Sequence, residues 1–521
     1  MGILEITAPT FEWLELSPLL TVLIGAVLGV VVEGLVPRAY RNLLQVAILV
    51  VTIFTAAGLL IVNWISARLG IFAMGALVLD GPAYVTWAAE LLFGGLAILI
   101  FAERRAGQGA SVFVAAAATV PGSKDERLAN SIGREHTEVY SLALFSLSGM
   151  MVFAASNDLI TMFIALEVMS LPLYLLSALA RYRRLLSQEA ALKYFLLGSF
   201  ASAFFLFGIG LVYGFSGSLT LEGISSSITL SGTGRGLLLA GIVLLAVGLL
   251  FKIGAVPFQS WVPDVYTGAP TPVTGFMAIG VKFAAVMGLA RVFFVALGGE
   301  RWSWQPVLAV IAVLTMAVGA VLALTQTNIK RLLAYSAVSH AGFVLTAVVG
   351  ANAFVPDGQI NALGAISFYL IAYGFATVAA FGIVTLVRKG AGETLELGDW
   401  AGLGVREPVL AGAFAVALLS FAGIPLTAGF IGKWAVFSSA WSGGYAWLSI
   451  VGVGFSLIAA YLYLKVLVSM FFADPASSVS AVKPSLATWI PVIVGAIGSL
   501  VFGLFPGPLM DLLSHAEVFL R

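Results

Sequence analysis

Apolar runs of about twenty residues recur along nearly the whole chain, and this pattern decides the solvent in which it folds. An α-helix rises about 1.5 Å per residue, so about twenty residues cross the roughly 30 Å hydrocarbon core of a bilayer. Fourteen such runs lie between residues 17 and 509, separated by short polar gaps. Composition agrees: 60% of the 521 residues are apolar and only 10% are charged, with mean hydropathy +1.06, which no soluble domain of this size shows. A closed barrel would read instead as alternating strands of about ten residues. The expected fold is therefore all-α and polytopic, with fourteen transmembrane helices. The N-terminus has no basic n-region and no small-residue cleavage site, so the first run is read as a retained span.

Composition also excludes chemistries. The chain has no cysteine, which removes thiolate-ligated iron–sulfur clusters, disulfides and a thiol nucleophile. Its three histidines, His136, His340 and His515, are too scattered for a metal centre. The Gly232-Thr233-Gly234-Arg235-Gly236 stretch lacks the strand that a dinucleotide fingerprint needs. No nucleotide, metal or redox cofactor is expected in this chain. A net charge of +1 gives no reason to expect nucleic acid.

Loop charges test the span count. Of 26 Lys and Arg, sixteen fall in one set of alternate loops, including Arg38, Arg104, Arg134, Arg183, Lys330, Arg388 and Lys483. The other set, which includes both termini, holds four: Arg68, Arg235, Arg301 and Arg521. By the positive-inside rule the first set is cytoplasmic and both termini are outside. A wrong span count would scramble this parity.

The remaining six cations, Lys193, Lys252, Lys282, Arg291, Lys433 and Lys465, fall inside the apolar runs. A cation at the bilayer centre costs at least about 2.5–3.5 kcal/mol, so each is a functional hypothesis by default. Lysine exchanges a proton where arginine does not. Lys252, Lys282 and Lys433 lie near mid-run, as does Glu167, about 14 Å into the fifth run at 1.5 Å per residue. A carboxylate lets a buried lysine stay charged, and withdrawing it releases a proton. Glu167 is read as one half of such an ion pair. Lys193, at the edge of the sixth run, is either a relay or a lysine that snorkels to the interface. Snorkelling is the preferred reading for Arg291 and Lys465, each a turn or two from a run end. His340 is equally a core residue or a relay. Glu33 and Glu90 are deep, without an evident partner. Gly25 and Gly29 form a GxxxG pair suited to helix packing.

Two runs are broken. The seventh contains Lys252-Ile253-Gly254-Ala255-Val256-Pro257, and the twelfth contains Gly423-Ile424-Pro425 eight residues before Lys433. A proline removes a backbone hydrogen bond, and irregular backbone at that depth is tolerated only against protein or water. Paired interrupted helices mark ion sites in transporters. Pro257 and Pro425 are 168 residues apart, and Tyr194, Phe200, Ala201 and Ser202 recur as Tyr369, Phe375, Ala376 and Thr377. Five spans per copy is odd, so the copies are inverted. The division is a three-helix segment with a cytoplasmic loop (1–136), two repeats (137–298 and 305–472), and a C-terminal helix (473–521).

These motifs carry a resemblance. Leu166-Glu167-Val168-Met169-Ser170-Leu171-Pro172, Leu192-Lys193-Tyr194-Phe195, Phe251-Lys252-Ile253-Gly254-Ala255-Val256-Pro257, Asn328-Ile329-Lys330-Arg331 and Gly423-Ile424-Pro425 to Lys433 resemble the antiporter-like subunits of respiratory complex I, over essentially the whole chain. Subunit N, the counterpart of mitochondrial subunit 2, is the nearest branch. Subunit L normally adds a long lateral helix, and subunit M usually has Glu at the position of Lys433. The resemblance implies two inverted five-helix repeats and a non-redox, proton-translocating role within an NADH:quinone oxidoreductase. It implies neighbouring antiporter-like and small membrane subunits as partners in a bacterial inner membrane. FMN, iron–sulfur clusters and quinone belong to other subunits. It assigns Glu167, Lys252, Lys282 and Lys433 to the proton pathway, with Lys193 and His340 assisting. A sodium/proton antiporter of the multisubunit type and a scaffold that moves no protons are the other readings.

Overall fold

Hydrocarbon offers no partner for a backbone N–H or C=O, so a chain this apolar closes its hydrogen bonds within helices. The structure is a computed structural model and describes residues 12–107, 109–132, 135–230, 234–351, 361–390, 392–475, 480–516 and 518–520. Arg134, Arg521, Gly232 and Thr233 lie outside them. Among the described residues, twelve helices of 19 to 33 residues are long and apolar enough to span. Two more complete the set: the shorter Val139–Ala155, fourth in chain order, and the pair Pro408–Ala422 and Ala428–Ser442, which together form the twelfth. The expected fourteen are thus present, in chain order. Asp80, Asp158, Asn328 and Asn361 each cap the start of a span by accepting backbone N–H bonds.

The loops gather into two rims. On the basic rim, Glu103 accepts bonds from the Ser485 backbone and hydroxyl and from Thr488 (2.7–2.9 Å), and Arg183 donates to the Glu393 carbonyl (3.3 Å). A small sheet, Gly392–Glu393, Val387–Lys389 and Ser480–Ala481, fastens this rim. On the charge-poor rim, Gly70–Phe72 pairs antiparallel with Leu77–Leu79, and the Leu520 N–H bonds Asp80 (3.1 Å). The parity read from the charges is the parity of these contacts. The short strands, and the surface helices Leu221–Leu230 and Gly507–Ser514, are additions to the expected all-helical plan.

Small residues set the packing of the first spans. A Cβ on Gly25 would lie 2.2 Å from the Thr52 hydroxyl, and one on Gly29 would lie 2.2 Å from the Ser141 hydroxyl. The GxxxG pair therefore draws the first span against the second and fourth.

The breaks are built by glycine before proline takes part. The seventh span ends at Ile253 and resumes as Trp261–Gly268; the twelfth ends at Ala422 and resumes at Ala428. Gly254 (φ +78°) and Gly423 (φ +75°) each take the left-handed conformation and return their N–H groups to carbonyls three and four residues back. This is the C-cap for which glycine has no Cβ penalty. The eighth span, Thr271–Ala296, stays continuous but widens into π-helical turns at Met277–Val281 and Val292–Ala296, on either side of Lys282–Arg291.

Arg291 does not snorkel. Its guanidinium forms a bidentate pair with Asp80 (2.8 and 2.8 Å) and donates to the Ala154 carbonyl (2.8 Å), and both charged side chains are about 1% exposed. The partner is 211 residues away, so distance from the span end gave no sign of it. Removing one member of a buried, hydrogen-bonded pair strands the other charge and costs about 3–5 kcal/mol. Arg291→Ala is expected to deplete the assembled protein in membranes, and Asp80→Asn combined with Arg291→Met to restore much of it, measured by immunoblot of solubilised membranes.

Candidate functional site

Lys252 is the last-but-one residue of its half-helix, and its buried side chain crosses to the fifth span, Leu159–Ser177. Its Nζ donates to the Ser170 hydroxyl (2.7 Å) and lies 3.5 Å from the Tyr174 hydroxyl. The rings of Tyr174, Tyr194 and Phe251 surround it at 5.4–5.7 Å, which is cation–π distance. Trp261 stacks on Tyr194 (4.6 Å) and donates its indole N–H to the Phe251 carbonyl (3.0 Å). The expected direct ion pair with Glu167 is absent among the described residues. Glu167 sits one turn before Ser170 on the same helix, half-buried, with one carboxyl oxygen buried and unpartnered. Ser170 in turn donates to the Leu166 carbonyl. The hydroxyl stands where the sequence suggested a carboxylate.

Lys282 and Lys433 are also buried in neutral surroundings. Lys282 donates to the Ala337 carbonyl in the tenth span, Ile329–Val349, with the Tyr373 ring 4.9 Å away. Lys433 donates to the carbonyls of Phe421 and Ala422 (2.9 and 2.9 Å) and to the Ser456 hydroxyl (2.8 Å), using all three ammonium donors. Those carbonyls are the free end of the first half of its own broken helix. A Cβ on Gly423 would lie 2.7 Å from Lys433 Cδ, so the glycine that stops the helix also makes room for the lysine.

His340 stands between these two lysines. Its Nδ1 faces the Tyr369 hydroxyl (2.5 Å) and its Nε2 the Tyr463 hydroxyl (3.4 Å), and Tyr463 is bonded to Ser336. The Tyr373 ring beside Lys282 is 5.0 Å from the imidazole, and the Phe343 ring beside Lys433 is 5.7 Å away. No hydrogen bond joins Lys252 to Lys282 among the described residues.

Lys193 is apart from this row. The sixth span begins earlier than expected, at Arg184, and the Lys193 side chain, 43% exposed, pairs with Glu189 (2.7 Å) and Asp264 (2.8 Å). Asp264 also pairs with Arg331 (3.1 Å), and the four line a basic-rim cavity of about 190 Å³. Glu33 bonds Arg41, Gln45 and Thr137, all near the basic rim. Glu90 is fully buried in the third span with neither carboxyl oxygen partnered among the described residues.

Several participants were not singled out from the sequence. Ser170 and Tyr174 follow Glu167 by three and seven residues on one helix face, a spacing that could have found them. Tyr369 stands out only as the repeat counterpart of Tyr194, and Tyr463 and Ser456 carry no such signal. Lys330, assigned to a loop, is buried at the start of the tenth span, with Nζ on the Ala269 carbonyl (2.6 Å) and 3.9 Å from Glu393. At the rim, burial opposes the charge of Glu393, and Lys330 and Arg388 beside it hold its carboxyl below the usual range.

A family model described as NADH:quinone oxidoreductase/Mrp antiporter, TM, matches residues 156–459. A protein of Nocardioides sp. named NADH-quinone oxidoreductase subunit N is 52% identical over 534 residues, covering 99% of this chain and all of its own. This chain belongs to the NADH-quinone oxidoreductase subunit N family. The Cutibacterium acnes protein of that name is 48% identical, covering 100% of this chain and 98% of its own. A chain of respiratory complex I from Thermus thermophilus with bound aureothin superposes with TM-score 0.77 at 31% identity, covering 96% of this chain and all of that one. A chain of the Mrp complex from Dietzia sp. reaches TM-score 0.80 at 21% identity, over 96% of this chain and 97% of that one, and shows a shared fold.

For a subunit N of this geometry the Ser170 contact is directly testable. A hydrogen bond to a charged group contributes about 1.5–3 kcal/mol. Ser170→Ala is expected to lower this subunit's share of NADH-driven proton uptake by about tenfold. Tyr174→Phe, which removes the hydroxyl 3.5 Å from Nζ and leaves the Ser170 contact, is expected to cost less. Both are read as quenching of a pH-sensitive dye in inverted vesicles.

Proposed function

We propose that this chain translocates protons as the membrane-arm subunit N of an NADH:quinone oxidoreductase, through Glu167, Lys252, Lys282 and Lys433, with His340 as the link within the second half. The observation that carries this reading is the setting of the three lysines. Each ammonium is buried among hydroxyls, carbonyls and aromatic faces and has no carboxylate within ion-pair distance among the described residues. A permanent ion pair would hold a lysine charged. A neutral cage leaves the lysine able to give up its proton when a nearby charge changes.

The sequence of events follows from the contacts. Quinone reduction in other subunits changes the electrostatic field along the membrane arm. Glu167 moves relative to Ser170, and the hydrogen bond between Ser170 and Lys252 transmits that change. Lys252 takes a proton from the cytoplasm by way of the basic rim, where Lys193, Asp264 and Arg331 line a cavity. The proton passes through water to Lys282, then by His340 and its tyrosines to Lys433, and leaves on the charge-poor side. One pKa unit corresponds to 1.36 kcal/mol, so a swing of two or three units asks only a few kcal/mol of the charge movement. FMN, iron–sulfur clusters and quinone reside in partner subunits. The basic rim faces the cytoplasm and both termini the outside, by the loop charges.

The Mrp-type alternative rests on the fold shared with the Dietzia chain and predicts sodium-dependent transport. The full-length relatives named for the quinone oxidoreductase favour the first reading.

Lys252→Ala is expected to abolish most of this subunit's pumping while the complex still assembles, and Lys252→Arg to fail as well, because arginine stays protonated. NADH:ferricyanide reduction should match wild type in both. Wild-type pumping in the arginine variant would sink the titration mechanism.

A further inference from the structure

Lys465 is the cation that the proton row leaves over. The other five cations inside the apolar runs each have a hydrogen-bond or ion-pair partner within the chain. Lys465, on the thirteenth span Ala446–Phe472, is exposed and has none among the described residues. It borders a cavity of about 130 Å³ at the basic rim, between the ends of the ninth and thirteenth spans and the turn Leu397–Trp400. Ser469, one helical turn on, shares this wall with Gln326 and the Gly398 backbone. Among the described residues no carboxylate lines the cavity, and the adjacent Asp399 is engaged by Lys389 (3.1 Å) and Thr394 (2.5 Å).

We propose that this cavity seats the phosphate of an anionic phospholipid. The chemistry is an exposed ammonium at the cavity mouth with no counter-charge among the described residues, beside the Ser469 hydroxyl. The acyl chains have a track as well. Leu457, Tyr461, Leu464, Val468 and Phe472 succeed one another at helical spacing on the same span and are 43–84% exposed. A partner helix could cover that stripe, but a phosphate is what answers an uncompensated cation in a cavity at headgroup level. The cavity's position on the basic rim suits the headgroup level, where basic pockets between helices take anionic headgroups. The site is separate from the proton row and does not depend on the pumping mechanism.

The test uses the intact complex. Purified in mild detergent and weighed by native mass spectrometry, wild-type complex should retain phosphatidylglycerol or cardiolipin that Lys465→Gln retains about tenfold less, with Lys465→Arg close to wild type and Ser469→Ala intermediate. A photoreactive phosphatidylglycerol should label residues around Ser469 in the wild type, a readout that needs no variant to assemble. Equal lipid retention in Lys465→Gln, or labelling confined to other spans, would overturn the proposal. So would displacement of the lipid by inorganic phosphate, which would make this a free-anion site. A carbodiimide crosslink from Lys465 to an acidic residue of a neighbouring subunit would give the position to a protein interface.

Discussion

An ammonium buried in a membrane must be given oxygen atoms or aromatic faces, and the architecture around Lys252, Lys282 and Lys433 follows from that need. Desolvating a charge costs several kcal/mol even after relaxation. A carboxylate at contact distance would repay it, but would also fix the charge. The structure meets the need with neutral groups: a serine hydroxyl and three rings for Lys252, a carbonyl and a ring for Lys282, two carbonyls and a hydroxyl for Lys433. Such cages hold a lysine in place without committing it to one protonation state.

The broken helices are how a helical protein supplies those groups. An intact helix spends its carbonyls on its own turns. Stopping the twelfth span at Gly423 frees the carbonyls of Phe421 and Ala422, and the chain resumes in time to bring Lys433 back against them. The seventh span uses the same stop differently. There Trp261 takes up the Phe251 carbonyl, and Lys252 is turned outward to Ser170. The two repeats therefore share a backbone device and differ in how their lysines are held, which gives the row distinct ends. Rigid anchors at the rims, Arg291 with Asp80 on one side and Glu103 with Ser485 and Thr488 on the other, hold the helices while local contacts in the row change.

Much of this was legible in the sequence because the governing signals are local. Spans follow from hydropathy, their parity from loop charge, the breaks from Gly254, Pro257, Gly423 and Pro425, and the buried lysines from their depth. What was hidden depends on tertiary contact. Ser170 and Tyr174 are ordinary residues of an apolar helix until Lys252 reaches them from the seventh span. Arg291 looked like an interfacial cation because Asp80 is remote in sequence, and Lys330 looked like a loop charge because it lies one residue inside its helix. The helices Leu221–Leu230 and Gly507–Ser514 are short and lie outside the spans, where hydropathy gives little guidance.

The central claim is that uncompensated buried lysines in this subunit carry protons that accompany electron flow elsewhere in the complex. It is tested most directly at Lys282, which has the fewest partners of the three, one carbonyl and one ring. Lys282→Met keeps the length and apolar stem of the side chain and removes the proton site. The ratio of protons moved to NADH oxidised should be measured in reconstituted vesicles at matched electron flux. The account predicts a ratio below that of wild type with unchanged NADH:ferricyanide activity; an unaltered ratio in a fully assembled complex would contradict it.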